Sequence, residues 1–158
     1  PSYAMMISSY CRLEKYEEAI NLLTQLRCRG GKTNSFCYTP LIGALLKKKR
    51  TDDAMRYFEE MVELGLEVNN ITCNFLLEEL CKEGMAKDAS MVCRTMLSNR
   101  LTIRSGSLFL FMKCLYKQKK VDDANLLFRD MCKMHCLPSS SGILQALGVV
   151  EKMGMHTH

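Results

Sequence analysis

The chain has 158 residues, 47% of them hydrophobic and 25% charged, a balance that excludes a disordered polypeptide and predicts a folded one. Its net charge of +5 permits an anionic partner without demonstrating one. No apolar run approaches the roughly 18–20 residues needed to cross a bilayer; "SLFLFM" from Ser107 is far too short, so no membrane partner is expected.

The nine cysteines are an odd number and contain no C-x-x-C pair. Cys11, Cys81, Cys93 and Cys114 fall inside apolar helical patterns, where a free thiol behaves as a small hydrophobe. This predicts reduced thiols in an intracellular or organellar compartment, not a disulfide framework. Cys132, His135 and Cys136 lie close together, and His156 and His158 end the chain. They lack a fourth ligand at metal-site spacing, so ordinary helix residues are expected and no cofactor. The chain starts at Pro1, without an initiator Met, which predicts a processed or excised piece.

Four windows taken in chain order are spaced by 35 residues: "RLEKYEEAINLLTQL" from Arg12, "KKKRTDDAMRYFEEM" from Lys47, "KEGMAKDASMVCRTM" from Lys82 and "KQKKVDDANLLFRDM" from Lys117. Each opens on a base: Arg12, Lys47, Lys82, Lys117. Each carries an acid (Glu18, Asp53, Asp88, Asp123), then an alanine (Ala19, Ala54, Ala89, Ala124), then an apolar residue unbranched at Cβ (Leu26, Met61, Met96, Met131). Upstream, Ile7, Ile42, Leu77 and Met112 form one apolar column, and Met6, Leu41, Leu76 and Phe111 another. Fixed-period self-similarity of this kind marks a repeat architecture.

Each repeat predicts two helices. In the second, Tyr38, Leu41, Ile42 and Leu45 share one helical face, with Pro40 expected in the first turn. "KKKR" then interrupts the pattern. Thr51 is the expected N-cap of the next helix, with Asp52 and Asp53 facing the positive end of its dipole. Ala54, Tyr57, Phe58 and Met61 form its buried stripe, and Gly65 ends it, as Gly30 does one repeat earlier. The third and fourth repeats place Arg100 and His135 at that position, and Asn99 is expected to supply the left-handed residue in the third. No strand-like alternation occurs. Two short helices joined by a tight turn must approach closely, which accounts for the alanine column, and stacked neighbours must complete the core. After Ser139 the pattern decays; Ile143, Leu144, Leu147 and Val150 predict a capping helix or a partial fifth repeat over 140–158.

The 35-residue hairpin with its "EEA/DDA" signature resembles the pentatricopeptide repeat of the pure type, over 1–34, 35–69, 70–104 and 105–139. The matching stretches include "SYAMMISSYCRLEKYEEAINLLTQLRCRGGKTN" from Ser2 and "CYTPLIGALLKKKRTDDAMRYFEEMVELGLEVN" from Cys37. The tetratricopeptide repeat has a period of about 34 and Trp and Gly-Tyr landmarks; this chain has no Trp. The resemblance implies an all-α fold, a right-handed α-solenoid of tandem helix–turn–helix repeats. It implies a non-enzymatic binder of single-stranded RNA in the mitochondrion or chloroplast, at about one base per repeat.

Carried over by position, base edges would be read by Ala4 with Asn34, Thr39 with Asn69, Asn74 with Arg104, and Phe109 with Ser139. The column Pro1, Phe36, Ile71, Gly106 would pack on base faces, and Arg12, Lys47, Lys82 and Lys117 would meet phosphate. Ala4 has no hydrogen-bonding side chain, Phe109 can only stack, Arg104 is an unusual terminal reader and Gly106 offers no apolar wall. Thr39 with Asn69 resembles the family's adenine readers, and Asn74 points to a pyrimidine.

Each signal has a plainer counterpart. A base at a helix C-terminus complements the dipole by about 0.3–1 kcal/mol whatever the protein binds. Thr39, Asn69 and Asn74 are residue types that cap helices locally. The "KKKR" run is either an import signal or a solvated turn, and its register favours the turn. The methionines are expected core filler. The His residues and acidic pairs assemble no nucleophile–base set, so no enzyme is expected. Readout at so few positions favours a longer array, self-association, or a place in a larger assembly. Two functions stay open: organellar RNA processing, splicing, stability or translation, and a structural protein subunit of an organellar ribonucleoprotein such as a mitochondrial ribosome.

One variant tests the alignment. Ala89→Leu should overpack the helix contact and lower stability by about 1–3 kcal/mol in a thermal melt; an unchanged melt would refute the alanine column.

Overall fold

The computed structural model describes residues 2–119 together with positions 122, 125, 126, 129 and 130. Seven helices are defined: α1 (Tyr3–Arg12), α2 (Tyr16–Cys28), α3 (Ser35–Lys47), α4 (Thr51–Glu63), α5 (Asn70–Lys82), α6 (Ala86–Ser98) and α7 (Ser105–Lys117). No strand occurs among the described residues, and the chain has the expected all-α fold of tandem helical hairpins. The expected cap over 140–158 lies outside the described residues, as do Pro1, Ala124, Met131 and Ser139.

The helix ends keep the 35-residue step. Arg12, Lys47, Lys82 and Lys117 are the last residues of α1, α3, α5 and α7, while α2, α4 and α6 each span 13 residues. The same device stops every one of these helices. Past α1, Glu14 takes a left-handed conformation (φ +60), the Glu14 N–H donates to Cys11 O at 3.1 Å, and the Lys15 N–H donates to Tyr10 O at 2.8 Å. This is the Schellman motif, which satisfies the orphan carbonyls of a helix end. Lys49 (φ +61) and Gly84 (φ +74) repeat it after α3 and α5, and Lys119 (φ +58) takes the same conformation after α7. Gly30, Gly65 and Arg100 repeat it after α2, α4 and α6, at φ +67, +69 and +55.

The first-to-second turn is so short that one residue both closes one helix and opens the next. Lys15, Arg50 and Met85 bond back into the preceding helix and are also the N-caps of α2, α4 and α6, without any side-chain cap. Thr51 is therefore not the N-cap that its residue type predicts. It is the first residue inside α4, 2% exposed, and its hydroxyl has no hydrogen-bond partner. Nor does Asn99 supply the left-handed residue: its φ is −96, and Arg100 takes that conformation instead. Pro40 lies inside α3 at its sixth residue, beyond the first turn, because Asn34 caps the helix three residues earlier than the apolar pattern begins. The missing proline N–H leaves α3 without a helical bond to the Phe36 carbonyl.

The "KKKR" turn is paired, not simply solvated. Lys48 Nζ lies 3.4 Å from Glu14 Oε1 and 6.0 Å from the Tyr16 ring centroid. Arg50 reaches Glu17 Oε1 and Asp53 Oδ2, each at 3.0 Å. These contacts tie the turn of the second hairpin to the first.

The chain divides into two compact units, meeting between Val68 and Asn69. In the first, α3 packs against α1, α2 and α4; in the second, α5 packs against α6 and α7. The alanine column is fully buried: Ala19, Ala54 and Ala89 are all 0% exposed. Ile7, Ile42, Leu77 and Met112 are buried too, as are Leu26, Met61 and Met96.

The orphan Thr51 hydroxyl carries a desolvation cost that Thr51→Val removes without changing shape. That variant should gain about 1 kcal/mol in urea unfolding; a loss would show that the hydroxyl makes a bond.

Candidate nucleic-acid interface

The first helix of each hairpin delivers a base to the same place. Arg12, Lys47, Lys82 and Lys117 are the exposed C-terminal residues of α1, α3, α5 and α7. Arg12 Nη2 donates to Ser9 Oγ at 3.2 Å, and Lys82 Nζ lies 3.7 Å from Glu79 Oε1.

In the first unit the packing of α3 on α1 leaves an open groove of about 550 Å³. It brings together four sequence-predicted residues, Ala4, Asn34, Phe36 and Thr39, and adds Ser2, Met5, Ser8 and Pro40. Phe36 stands 75% exposed at its edge. Asn34 caps α3: its Oδ1 accepts from the Phe36 N–H at 2.9 Å. Ser8 escaped the column analysis because it lines up with Gly43, Glu78 and Lys113, which share no chemistry, whereas Met5 heads an apolar column with Pro40, Phe75 and Leu110. Their helical spacing from Ala4 was the available signal.

The second unit presents its predicted residues differently. Ile71 is 77% exposed, matching Phe36 in position and exposure. Asn69 caps α5 through an Oδ1 bond from the Thr72 N–H at 2.8 Å. Thr39 and Asn69 belong to different units, one in each. Asn74 is 1% exposed, and its amide is spent on backbone. Nδ2 donates to Asn70 O at 2.8 Å and Thr102 O at 3.0 Å, and Oδ1 accepts from the Arg104 N–H at 2.9 Å. It thus braces the loop before α7, the capping alternative for this residue type. Arg104 is exposed, with Nη2 lying 3.8 Å from Glu78 Oε2. Phe109 is half-buried, with Lys113 Nζ 5.9 Å from its ring centroid. Gly106 is exposed.

Burial disfavours the thiolate at three cysteines. Burial pushes Cys11 up to about 11 and Cys73 up to about 12, and raises Cys81 further, so all three stay protonated at neutral pH. Among the described residues no group of three or more His, Cys, Asp or Glu side chains could hold a metal ion, and no helix is long and apolar enough to cross a membrane.

Helical hairpins repeated at 35 residues, with one basic register and a buried alanine column, define a tandem helical-repeat protein of the α-solenoid class. The sequence model of the PPR repeat family matches residues 33–82, and that of the PPR repeat matches 1–31, 71–101 and 110–136. The chain belongs to the pentatricopeptide repeat family. Small ribosomal subunit protein mL103 (rPPR7) of Arabidopsis thaliana is 24% identical over 140 residues, 89% of this chain and 34% of that protein. A mitochondrial pentatricopeptide repeat-containing protein of the same plant is 32% identical over 83 residues, 52% of this chain and 20% of its own length. A chloroplastic one is 25% identical over 131 residues, covering 82% and 17%.

Among solved structures, the PPR domain of Arabidopsis thaliana protein-only RNase P 1, in complex with tRNA, superposes with a TM-score of 0.61 at 15% identity, covering 86% of this chain and 70% of that one. PPR10 in complex with an 18-nt psaJ RNA element gives 0.52 at 21%, covering 79% and 18%. These likenesses show the fold. The chain spans about a third or less of the length of the curated relatives named here. The compartments in those names are organelles, and the location of this protein is organellar, mitochondrial or chloroplastic.

The bracing role of Asn74 has a direct consequence. Asn74→Leu strips three hydrogen bonds and strands their backbone partners, so urea unfolding should show a loss of about 1–3 kcal/mol. Unchanged stability would free the amide for another role.

Proposed function

We propose that this chain is a non-catalytic, single-stranded RNA-binding segment that serves organellar RNA processing, splicing, stability or translation. The observation that carries this reading is the exposed base closing α1, α3, α5 and α7 at one register. A phosphate backbone presents charge at regular intervals, and a base at a constant place in each hairpin suits it. The exposed Phe36 and Ile71 supply apolar faces on which bases stack, a sequence-tolerant contact of about 1–3 kcal/mol per base. The groove holding Ala4, Asn34, Phe36 and Thr39 has room for a nucleotide. We assign base reading to Thr39 in the first unit and to Asn69 in the second, and only stacking to Phe109. Solved family members in complex with tRNA and with an 18-nt RNA support the reading.

A second reading is a structural subunit of an organellar ribonucleoprotein that meets protein and folded RNA. Two observations favour it: the relative named as a small ribosomal subunit protein matches 89% of the chain, and Asn74, a residue at a reading position, is spent on the backbone.

Binding of short single-stranded RNAs, titrated with salt, separates the two. Under the first reading Lys47→Ala and Lys117→Ala should each shallow the log–log salt slope by about 0.7. Slopes that stay put in folded variants would overturn it. Absent or sequence-blind binding, with recovery of the protein in a large assembly, is the outcome of the second.

A further inference from the structure

The two units differ in chemistry at one matched set of positions. Ser8, Asn34 and Phe36 line the groove of the first unit. Seventy residues later the same registers hold Glu78, Arg104 and Gly106. Two neutral polar side chains thus become an acid and a base, and the aromatic wall is gone. The second unit brings the three together. Arg104 Nη2 lies 3.8 Å from Glu78 Oε2, and Ser107 Oγ donates to Glu78 Oε1 at 3.0 Å. A Cβ added at Gly106 would stand 3.7 Å from Glu78 Oε1, so the exposed glycine backbone borders the carboxylate. Arg104 is held at both ends, its N–H by Asn74 Oδ1 at 2.9 Å and its guanidinium by Glu78. The pair still meets solvent, with side chains 58% exposed at Arg104 and 25% at Glu78. A carboxylate has about four acceptor sites and a guanidinium five N–H donors, so most of their hydrogen-bonding capacity is unused.

We propose that Glu78 and Arg104 form a guanine-selective subsite for single-stranded RNA, an assignment that rests on the RNA-binding reading above. An unstacked base exposes its Watson–Crick edge to side chains. Guanine alone among the four bases presents two adjacent donors there, N1–H and N2–H, beside an acceptor, O6. In the subsite N1–H donates to Glu78 Oε2, N2–H donates to Glu78 Oε1, and O6 accepts from Arg104, which stands on the Oε2 side. Adenine and cytosine turn a ring-nitrogen acceptor toward the carboxylate, and uracil offers one donor between two carbonyls. Each of these sets an acceptor against an acceptor, which costs affinity. Asn74 takes no part, because its amide is consumed by the backbone. Glu78 is therefore the specificity-determining residue, and the pyrimidine expected from Asn74 gives way to a purine.

Fluorescence anisotropy with the full chain and uracil decamers carrying one central guanosine, adenosine, cytidine or inosine reads the preference. The guanosine RNA should bind roughly ten- to hundredfold tighter than the adenosine and cytidine RNAs. Inosine, which lacks the N2 amino group, should lose part of that advantage. Glu78→Gln keeps the side-chain shape and should bring the guanosine-over-adenosine ratio to within about twofold. Arg104→Ala leaves the backbone bond to Asn74 in place and should lower the same ratio by removing the O6 contact. Circular-dichroism melts check that both variants fold. A guanosine preference that survives Glu78→Gln in folded protein overturns the subsite, as does full guanosine-like affinity for inosine. So does the lack of any guanosine preference in a parent chain that still binds RNA with a salt-dependent affinity, and in these three cases the RNA-binding reading stands. Absence of binding to every decamer overturns both.

Discussion

The left-handed residue that stops each helix is the constraint on which the rest of the structure depends. Every helix from α1 to α7 ends two residues before a position with φ between +55 and +74. That residue turns the chain and lets it satisfy carbonyls the helix leaves open. Because the stop recurs at a fixed place, the helices begin and end at fixed places, and the 35-residue step follows. Four of these positions carry Glu14, Lys49, Arg100 and Lys119 instead of glycine. A side chain with a Cβ costs about 1–2 kcal/mol in that conformation. The repeat tolerates this because hydrogen bonds on both sides of the turn, and burial of the helices it joins, over-determine the geometry.

The compact turn has electrostatic consequences. With Lys15, Arg50 and Met85 closing one helix and opening the next, no side chain caps α2, α4 or α6. Acids in the first turn, such as Glu17, Asp52 and Asp88, compensate by facing the helix dipole. Arg50 links two of these features by joining Glu17 of the first hairpin to Asp53 of its own. Burial opposes its charge, and the two carboxylates outweigh that effect, holding its pKa above the ordinary arginine value. Bases in this turn are thus divided between structure and surface. Lys48 and Arg50 tie hairpins together, while Lys47 projects from the last turn of α3.

Packing and recognition use alternate faces of the first helices. Leu41, Ile42 and Leu45 turn into the core, whereas Phe36 and Thr39 border the groove in the same α3. Residues at the loop-to-helix junction serve both ends. Asn34 and Asn69 cap their helices with the side-chain oxygen and remain exposed, and Asn74 is drawn fully inside. The same residue type one turn further along a helix therefore passes from surface to brace.

Much of this was legible in the sequence because a repeat tests itself. The alanine, isoleucine-leucine and basic columns gave the helix pairs, and the structure buries Ala19, Ala54 and Ala89 as that pattern requires. Local backbone chemistry was less legible. Thr51 has the residue type of a cap yet lies inside α4, and Asn99 yields the left-handed place to Arg100, because hydrogen-bond closure across the turn outranks single-residue preference. Period, helix pairing, core columns and the basic register were determined by the sequence alone, since each rests on spacing along the chain. Only the tertiary structure decided that Asn74 is consumed by Thr102 and Arg104, and that Lys48 and Arg50 are paired. Those outcomes depend on what a neighbouring hairpin places beside each residue, and spacing along one chain does not carry that information.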